Sequence, residues 1–399
     1  MRLVISLSLV ALLGSLPGCG GDDEDSPVNP TKDAGTEAAP DVALPDAPTD
    51  SPFDAPVDAQ DGGSEAAPVD AAEDAEPDAP DGSTYPEPTS SDISFQAVNA
   101  IPSGEFLLFN DWNPSPNSVS IVSLDGQTTT EIFRAYRIWS LGVSRGNDRI
   151  AFACGDPNQA KNYGIQLGDA IQHTWIYDIS AQTAEVVAYG NINDECHLFG
   201  PNDDYLYVCR RYDFGGTLSN PTYKGWRIGR LDLESLGFEF LTPEEVSIFS
   251  LHPQPTLDES EMFYGLIDVP AAPPSGVRSI LKKSLPSGTP TTVREKADNP
   301  MLSPDGTKYL FRNYDDGRTL WSSSLDGSTA FQIVDAQGTE PVWSPDGTRV
   351  AYLLRDDANN CDHIEVVASD GSEAKTPFRV RDCKGTGEFI TELEWLLVP

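Results

Sequence analysis

Two segments of this chain are near copies of one another, and their repetition limits what it can fold into more tightly than any other feature. Pro300–Phe311 reads PMLSPDGTKYLF and Pro341–Tyr352 reads PVWSPDGTRVAY. Each is a short apolar run, a Pro-Asp-Gly turn and a second run in which apolar and polar side chains alternate. The chemistry is that of a β-hairpin: Pro presets φ at the turn, while Asp and Gly accept its tight backbone. Looser copies stand at Ala100–Phe109 (AIPSGEFLLF), Val143–Phe152 (VSRGNDRIAF), Phe199–Val208 (FGPNDDYLYV) and His252–Tyr264. Further strand-like runs follow the hairpins, such as Leu320–Leu325 then Phe331–Val334, and Ile364–Val367 then Pro377–Val380. Second turns part those runs: Leu325-Asp326-Gly327-Ser328 and Ser369-Asp370-Gly371-Ser372.

Four short strands recurring about every 40 to 55 residues predict the blades of an all-β propeller. One such sheet cannot bury both of its faces, but neighbours standing around an axis can. The turns count six blades, and a partial seventh is the alternative. Thr391-Glu392-Leu393-Glu394-Trp395 echoes Thr339-Glu340-Pro341-Val342-Trp343. The last strand is therefore expected to be an innermost one that completes the first blade, with Ile93–Val98 displaced to the outer edge. The SPDGT turns resemble the repeat of TolB-like (WD-related) propellers over essentially Ile93–Pro399. The resemblance implies that fold. It does not extend to the α/β domain that precedes the propeller in the Tol-system protein.

The chain has 399 residues and a formal net charge of −37, from 63 acidic and 26 basic side chains. Such a surface lacks the basic footprint that nucleic acid requires, so no nucleic-acid partner is expected. It also opposes adsorption to anionic headgroups, so a membrane link has to be covalent. The N-terminus offers one. Arg2 precedes an apolar run, Leu3–Leu13, too short to span a bilayer but suited to a signal-peptide core. Leu16-Pro17-Gly18-Cys19-Gly20 resembles the lipobox of bacterial lipoproteins, which implies cleavage before Cys19 and acylation of its thiol. Residues 1–18 then form the leader, 19–92 a disordered Asp/Pro/Ala-rich tether, and 93–399 the propeller. About twenty acidic residues and the single base Lys32 lie between Gly20 and Asp92, with too little apolar surface to offset the entropy of ordering. The implied location is the outer membrane, lipid-anchored and facing the periplasm or the cell surface.

Five cysteines follow Cys19 in a compartment that permits disulfides. Cys361 precedes the third strand of the last full blade and Cys383 follows its fourth, which favours a bridge between them. Cys196 and Cys209 flank the Asn202-Asp203 turn and are expected to oppose one another across a hairpin. Cys154 is an alternative partner for either. No CxxC or His/Cys spacing suggests zinc, and neither metal nor cofactor is expected.

The long insertions (155–170, 210–225 and 269–276) fall mostly in links on one propeller face. One of them is basic and aromatic on an acidic protein: Arg210, Arg211, Tyr212, Phe214, Tyr223, Lys224 and Trp226. Arg, Tyr and Trp are typical interface anchors, so these residues are the candidate binding patch. Against it stands the plainer reading that Tyr223 and Trp226 begin the next strand. Gly142-Val143-Ser144-Arg145-Gly146 fits the G-x-S-x-G nucleophile pattern, yet it precedes a strand where that chemistry needs a strand-to-helix elbow. His173, His197, His252 and His363 lie in different blades without metal-site spacing. The function expected is a non-enzymatic protein- or glycan-binding scaffold at the cell envelope. The alternative is a propeller enzyme, lyase-, glycosidase- or peptidase-like, with its site in the axial channel.

Overall fold

The computed structural model describes residues 87–111, 116–158, 171–212, 215–217, 220–222, 225–244, 248–268, 277–356, 358–372, 378–381 and 389–399. Cys19, the leader and most of the 19–92 stretch lie outside them. Every regular element among the described residues is a strand. In chain order these are β1 (Gln96–Ala97), β2 (Gly104–Asp111), β3 (Asn117–Ser123), β4 (Thr129–Ala135), β5 (Ile138–Val143), β6 (Arg149–Gly155), β7 (Gln172–Asp178) and β8 (Thr183–Ala188). Then come β9 (Asn193–Phe199), β10 (Tyr205–Tyr212), β11 (Gly215–Thr217), β12 (Asn220–Thr222), β13 (Gly225–Asp232) and β14 (Phe238–Phe240). Next are β15 (Ile248–Pro255), β16 (Glu261–Asp268), β17 (Val277–Ser284), β18 (Thr291–Glu295), β19 (Ala297–Leu302), β20 (Lys308–Asn313) and β21 (Thr319–Ser324). The last are β22 (Ala330–Trp343), β23 (Arg349–Asp356), β24 (Cys361–Ala368), β25 (Phe378–Arg381) and β26 (Ile390–Val398).

Their antiparallel ladders fall into six groups among the described residues: β26-β2-β3-β4-β1, β5-β6-β7-β8, β9-β10-β13-β14, β15-β16-β17-β18, β19-β20-β21-β22 and β22-β23-β24-β25. The long β22 serves two of them, its first half pairing with β21 and its second with β23. The first strands β26, β5, β9, β15, β19 and the end of β22 touch one another in that cyclic order. This closed ring surrounds the axis. The chain ends lock it, because β2 pairs with β26 from Gly104↔Val398 to Asp111↔Ile390. The short β1 lies outermost, on β4.

The turns hold together as their chemistry predicts. In Ser303-Pro304-Asp305-Gly306-Thr307 the Gly306 N–H donates to the Ser303 carbonyl at 2.8 Å, with Gly306 at φ +67. The Ser303 hydroxyl donates to Asp305 at 2.6 Å and accepts the Lys308 N–H at 3.0 Å, while Asp305 accepts the Thr307 N–H at 3.0 Å. The Ser344 turn repeats these bonds through Asp346, Gly347 and Thr348. So does the Ser324 turn, whose Asp326 is pulled down to about 2 by the hydrogen bonds from Ser324 and Ser328.

The core lies between neighbouring sheets. Because each sheet is covered on both faces, Ile150, Ala151, Phe152, Ala153 and Cys154 of β6 are all fully buried, without the in/out alternation of a half-exposed sheet. The contact between the first and second sheets is aromatic: the Phe133 ring lies 4.8 Å from Tyr177 and 5.1 Å from Phe152. The inner ends of adjacent sheets come closer still. A Cβ placed on Gly142 of β5 would stand 2.4 Å from the His197 carbonyl oxygen of β9.

Candidate site: the axial channel and its loop-bearing mouth

Every first strand carries a β-bulge at the same height, where an extra residue interrupts the ladder. The interruptions fall between Ile138 and Ser140, at Cys196-His197, His252-Pro253, Asn299-Pro300, Glu340-Pro341 and Thr391-Glu392. A bulge leaves the extra residue unpaired and re-aims its side chain. At four of these positions a non-glycine residue has positive φ: Cys196 (+56), His252 (+54), Asn299 (+53) and Glu340 (+47). Such conformations cost about 1 kcal/mol or more each and persist where surrounding structure enforces them. The closed ring of strands supplies that enforcement.

Carboxyls gather at this waist. Glu195, Glu340, Glu392 and Glu394 keep some accessible surface yet are enclosed by protein, as expected for side chains lining a narrow channel. Burial pushes Glu394 up to about 8, with Glu340 adding to the effect. Burial likewise lifts Glu195 to about 7, against the pull of Arg211 and with a push from Asp194. Glu392 is driven well above the usual range by burial and then by Glu340, Cys196, Glu195 and Glu394. Burial also raises Glu340, although Arg312 opposes the rise. Glu392 of β26 thus feels Glu195 of β9, Glu340 of β22 and its own neighbour Glu394, and Glu394 feels Glu340. Sequence reading missed this cluster. The echo of Thr339-Glu340 in Thr391-Glu392 was the signal, but it pointed to closure of the ring and carried no sign that the two acids meet.

Above the waist, at the ends of the second strands and the starts of the first and third, ion pairs pin the bases of the loops. Arg210 holds Asp194 through two bonds of 2.7 and 2.9 Å. Asp298 is gripped by Arg312 at 2.9 and 3.1 Å, by Arg278, and by the Tyr314 hydroxyl at 2.9 Å. Burial opposes ionisation of Asp298, but Arg312 and Arg278 hold its carboxyl below the ordinary value. Arg355 meets Asp362 at 3.2 Å, and Arg381 meets Asp111 at 3.2 Å across the closure of the ring.

These locks remove two members of the expected patch. Arg210 is 8% exposed and committed to Asp194, and Trp226 is 5% exposed, so neither stands free to anchor a partner. The physical reason is register: Arg211 pairs with Trp226 across β10 and β13, and its guanidinium lies 4.4 Å from the indole ring. Trp226 opens the next strand, as the plainer reading had it. Phe214, Tyr223 and Lys224 lie outside the described residues, as does the side chain of Tyr212. Between them β11 and β12 pair as a small ribbon.

A second correction concerns the thiols. Cys196 and Cys209 are free, as is Cys154, and no bridge crosses that hairpin. The bulge is the cause: it sets Glu195, not Cys196, directly opposite Cys209. The two thiols remain neighbours, and the hydrogen bond between them, with burial, raises Cys196 well above its ordinary value. Cys361 is disulfide-bonded. Cys383, its expected partner, lies outside the described residues.

Ser144 is no nucleophile. Its hydroxyl donates to Asp148 at 2.8 Å and accepts the Arg149 N–H at 3.0 Å inside the first hairpin turn of its blade. A different Ser-His-Asp set sits nearby, and its hydrogen bonds run in one direction. Thr174 donates to Asp194 at 3.0 Å, so it accepts from His197 Nε2 at 3.0 Å, and His197 Nδ1 accepts from Ser140 at 3.0 Å. This arrangement requires neutral imidazole, in keeping with burial lowering His197 to about 4. All four residues are at most 3% exposed, so the chain fastens two blades and is closed to substrate. Among the described residues one trio has ligand atoms within 4.8 Å of one another: Asp356, Cys361 and His363. The disulfide at Cys361 removes its thiolate, which leaves two donors and a poor metal site.

No family model matches the sequence, and no curated protein matches it either. Solved structures do match the fold. TolB from Acinetobacter baumannii aligns with TM-score 0.52 at 15% identity, over 75% of this chain and 68% of that one. A structure from Agrobacterium tumefaciens assigned to TolB gives 0.50 at 15% identity, over 75% and 100%. Hydrazine synthase from Kuenenia stuttgartiensis gives 0.54 at 10% identity, over 75% of this chain and 47% of that one. At such identities the likeness concerns architecture and leaves activity open. The cyclic ring of first strands, the closure of β2 on β26 and these alignments together establish that the described domain is a β-propeller, similar in fold to the TolB structures.

Proposed function

We propose that the protein is a lipid-anchored scaffold of the cell envelope, held through acylated Cys19 on an extended acidic tether, and that its propeller binds a protein or glycan without transforming it. The observation that carries this reading is the pinned loop-bearing face. The second strands of the six sheets end at Asp111, Gly155, Tyr212, Asp268, Asn313 and Asp356, and ion pairs hold most of these ends. A rigid frame that presents loops in fixed relation is how binding surfaces are built. Among the described residues, Asp111, Asp194, Asp298 and Asp362 at these strand ends are each paired with an arginine. Outer-membrane anchoring accounts for the leader, the Cys19 context and the tether, which would average roughly 45 Å as a flexible coil of about 70 residues.

The test is affinity capture from detergent-solubilised membranes with the full chain. A variant in which residues 213–224 are replaced by a short Gly-Ser turn is compared with one altered in the opposite-face turns, Asp258→Asn/Asp346→Asn. Loss of a partner in the first and retention in the second is expected. Equal capture by both would remove the loop-bearing face as the binding surface. Palmitate labelling should vanish in Cys19→Ser, and its persistence would dispose of the anchor.

A further inference from the structure

The tight trio of metal-ligating side chains found among the described residues stands at the loop end of the last full blade, and strand register builds it. β23 and β24 place Asp356 directly opposite Cys361, and Leu354 opposite His363. Cys361 and His363 are two residues apart on one strand, so both project from the sheet face that Asp356 shares. One ligand atom from each of the three lies within 4.8 Å of the other two. Cys361 is fully buried and His363 nearly so, while the Asp356 side chain keeps 26% of its surface open to solvent. Asp362, on the opposite face, is committed to Arg355 and the Ile390 N–H. The spacing within the trio is informative. His363 Nε2 stands 3.4 Å from Asp356 Oδ2, long for a hydrogen bond between such groups. Two ligands of one tetrahedral zinc ion, each bonded at about 2.0–2.1 Å, lie about 3.3–3.4 Å apart. Asn359 orients the carboxylate through its N–H at 3.1 Å and its side-chain amide at 2.8 Å, as outer partners of metal ligands do. The sulfur is the unavailable member, because Cys361 is disulfide-bonded and only a thiolate ligates.

We propose that Asp356, Cys361 and His363 form a redox-gated zinc site, closed while the Cys361 disulfide stands and opened when a dithiol reductant cleaves it. The exchange balances: the dithiol delivers two electrons and two protons, becomes a disulfide itself, and leaves Cys361 and its former partner as thiols. Zinc then displaces the Cys361 proton to water. The freed side chain turns about χ1 to join the imidazole and the carboxylate, and water takes the fourth position. A thiolate, an imidazole and a carboxylate together select a borderline ion and turn away calcium and magnesium, which take oxygen. The ion ties the end of β23 to the start of β24 where the disulfide no longer fastens the latter. This site goes beyond the scaffold reading and needs neither the lipid anchor nor a bound partner.

Zinc binding measured on the full chain tests it, once as purified and once after reduction with a phosphine under argon and removal of the reductant. Cys154, Cys196 and Cys209 are free in both states and form a common background. The reduced chain is expected to take up one zinc more than the oxidised chain, and zinc should raise the melting temperature of the reduced chain alone. Cobalt in place of zinc should gain a thiolate-to-metal charge-transfer band on reduction. His363→Gln in the reduced chain is expected to weaken the added site at least about tenfold. Should that variant fail to fold, Asp356→Asn is expected to weaken it likewise. Equal uptake by the two redox states would overturn the proposal. So would a gain on reduction that a folded variant leaves unchanged, since the released thiols would then bind the ion without the imidazole or the carboxylate. A reduced chain that unfolds and is not restored by zinc would overturn it as well.

Discussion

Gly142→Ala is the sharpest test of how the blades are spaced. Gly142 belongs to β5, and the atom it faces is the His197 carbonyl oxygen of β9, in the next blade. The added methyl would sit 2.4 Å from that oxygen and 2.9 Å from its carbon, where ordinary contact begins near 3.4 Å. One strand has to move by about 1 Å, and both partners are backbone in a closed ring, so relief is shared around the whole structure. Overpacking of this kind costs about 1–3 kcal/mol, and the upper end applies where backbone meets backbone. Replacing glycine within a strand returns about 0.5–1 kcal/mol through chain entropy, leaving a net loss of about 2 kcal/mol. For a domain of about 300 residues that lowers the melting temperature by about 3 °C. Gly347→Ala is the matched control. Gly347 has φ +70, but the nearest atom to its Cβ is Pro304 Cδ at 3.7 Å, so it carries backbone strain alone, about 1 kcal/mol. Urea and thermal unfolding followed by circular dichroism measure both. If Gly142→Ala proves no more costly than Gly347→Ala, the spacing of the second and third blades is not set by this contact.

Asp194→Ala should destabilise by about 3–5 kcal/mol in the same assay, because it leaves Arg210 buried without its carboxylate and breaks the chain to His197. A loss below about 1 kcal/mol would mean that the pair is not desolvated. Channel acids whose native ionisation lies above its unfolded value contribute stability that is full below about pH 4.5 and lost as pH rises to about 7 for Glu195 and 8 for Glu394. His197 and His252, both lowered to about 4 by burial first, act in the opposite sense, and their contribution falls away as pH drops from about 6.5 to 4. With EDTA present, melting temperature is therefore expected to fall between pH 6.5 and 8, and Glu394→Gln should flatten that slope; an unchanged slope would remove Glu394 from its cause. Alkylation in denaturant without reductant should label Cys154, Cys196 and Cys209 and spare Cys361, whereas protection of Cys196 and Cys209 would restore the hairpin bridge expected from sequence. Ser344→Ala removes an acceptor of the Arg349 N–H and a donor to Asp346, and should cost about 1 kcal/mol.

Much of the architecture was legible because its information is local. A Ser-Pro-Asp-Gly-Thr turn dictates its own hydrogen bonds, since Ser303, Asp305 and Gly306 lie within four residues of one another. The same applies to the choice of closing strand, where Trp395 in a repeat of the Thr339–Trp343 pattern identified β26 as a first strand. Arg210 and Trp226 dropped out of the patch for a related reason: composition marked them as anchors, but cross-strand register decides whether such side chains face water. One inserted residue in β9 then separated Cys196 from the position opposite Cys209.

What the amino-acid order determined by itself was the unit of the fold: hairpins led by acidic turns, with apolar faces that require neighbours on both sides. What the tertiary structure alone decided was the contents of the axis. Glu195, Glu340 and the neighbouring Glu392 and Glu394 span about half the chain, and apart from the echo of Thr339-Glu340 in Thr391-Glu392 nothing in the sequence links the three places. They meet because each first strand bulges at the same height and the ring closes, and ionisation responds to distance through space, not to separation along the chain.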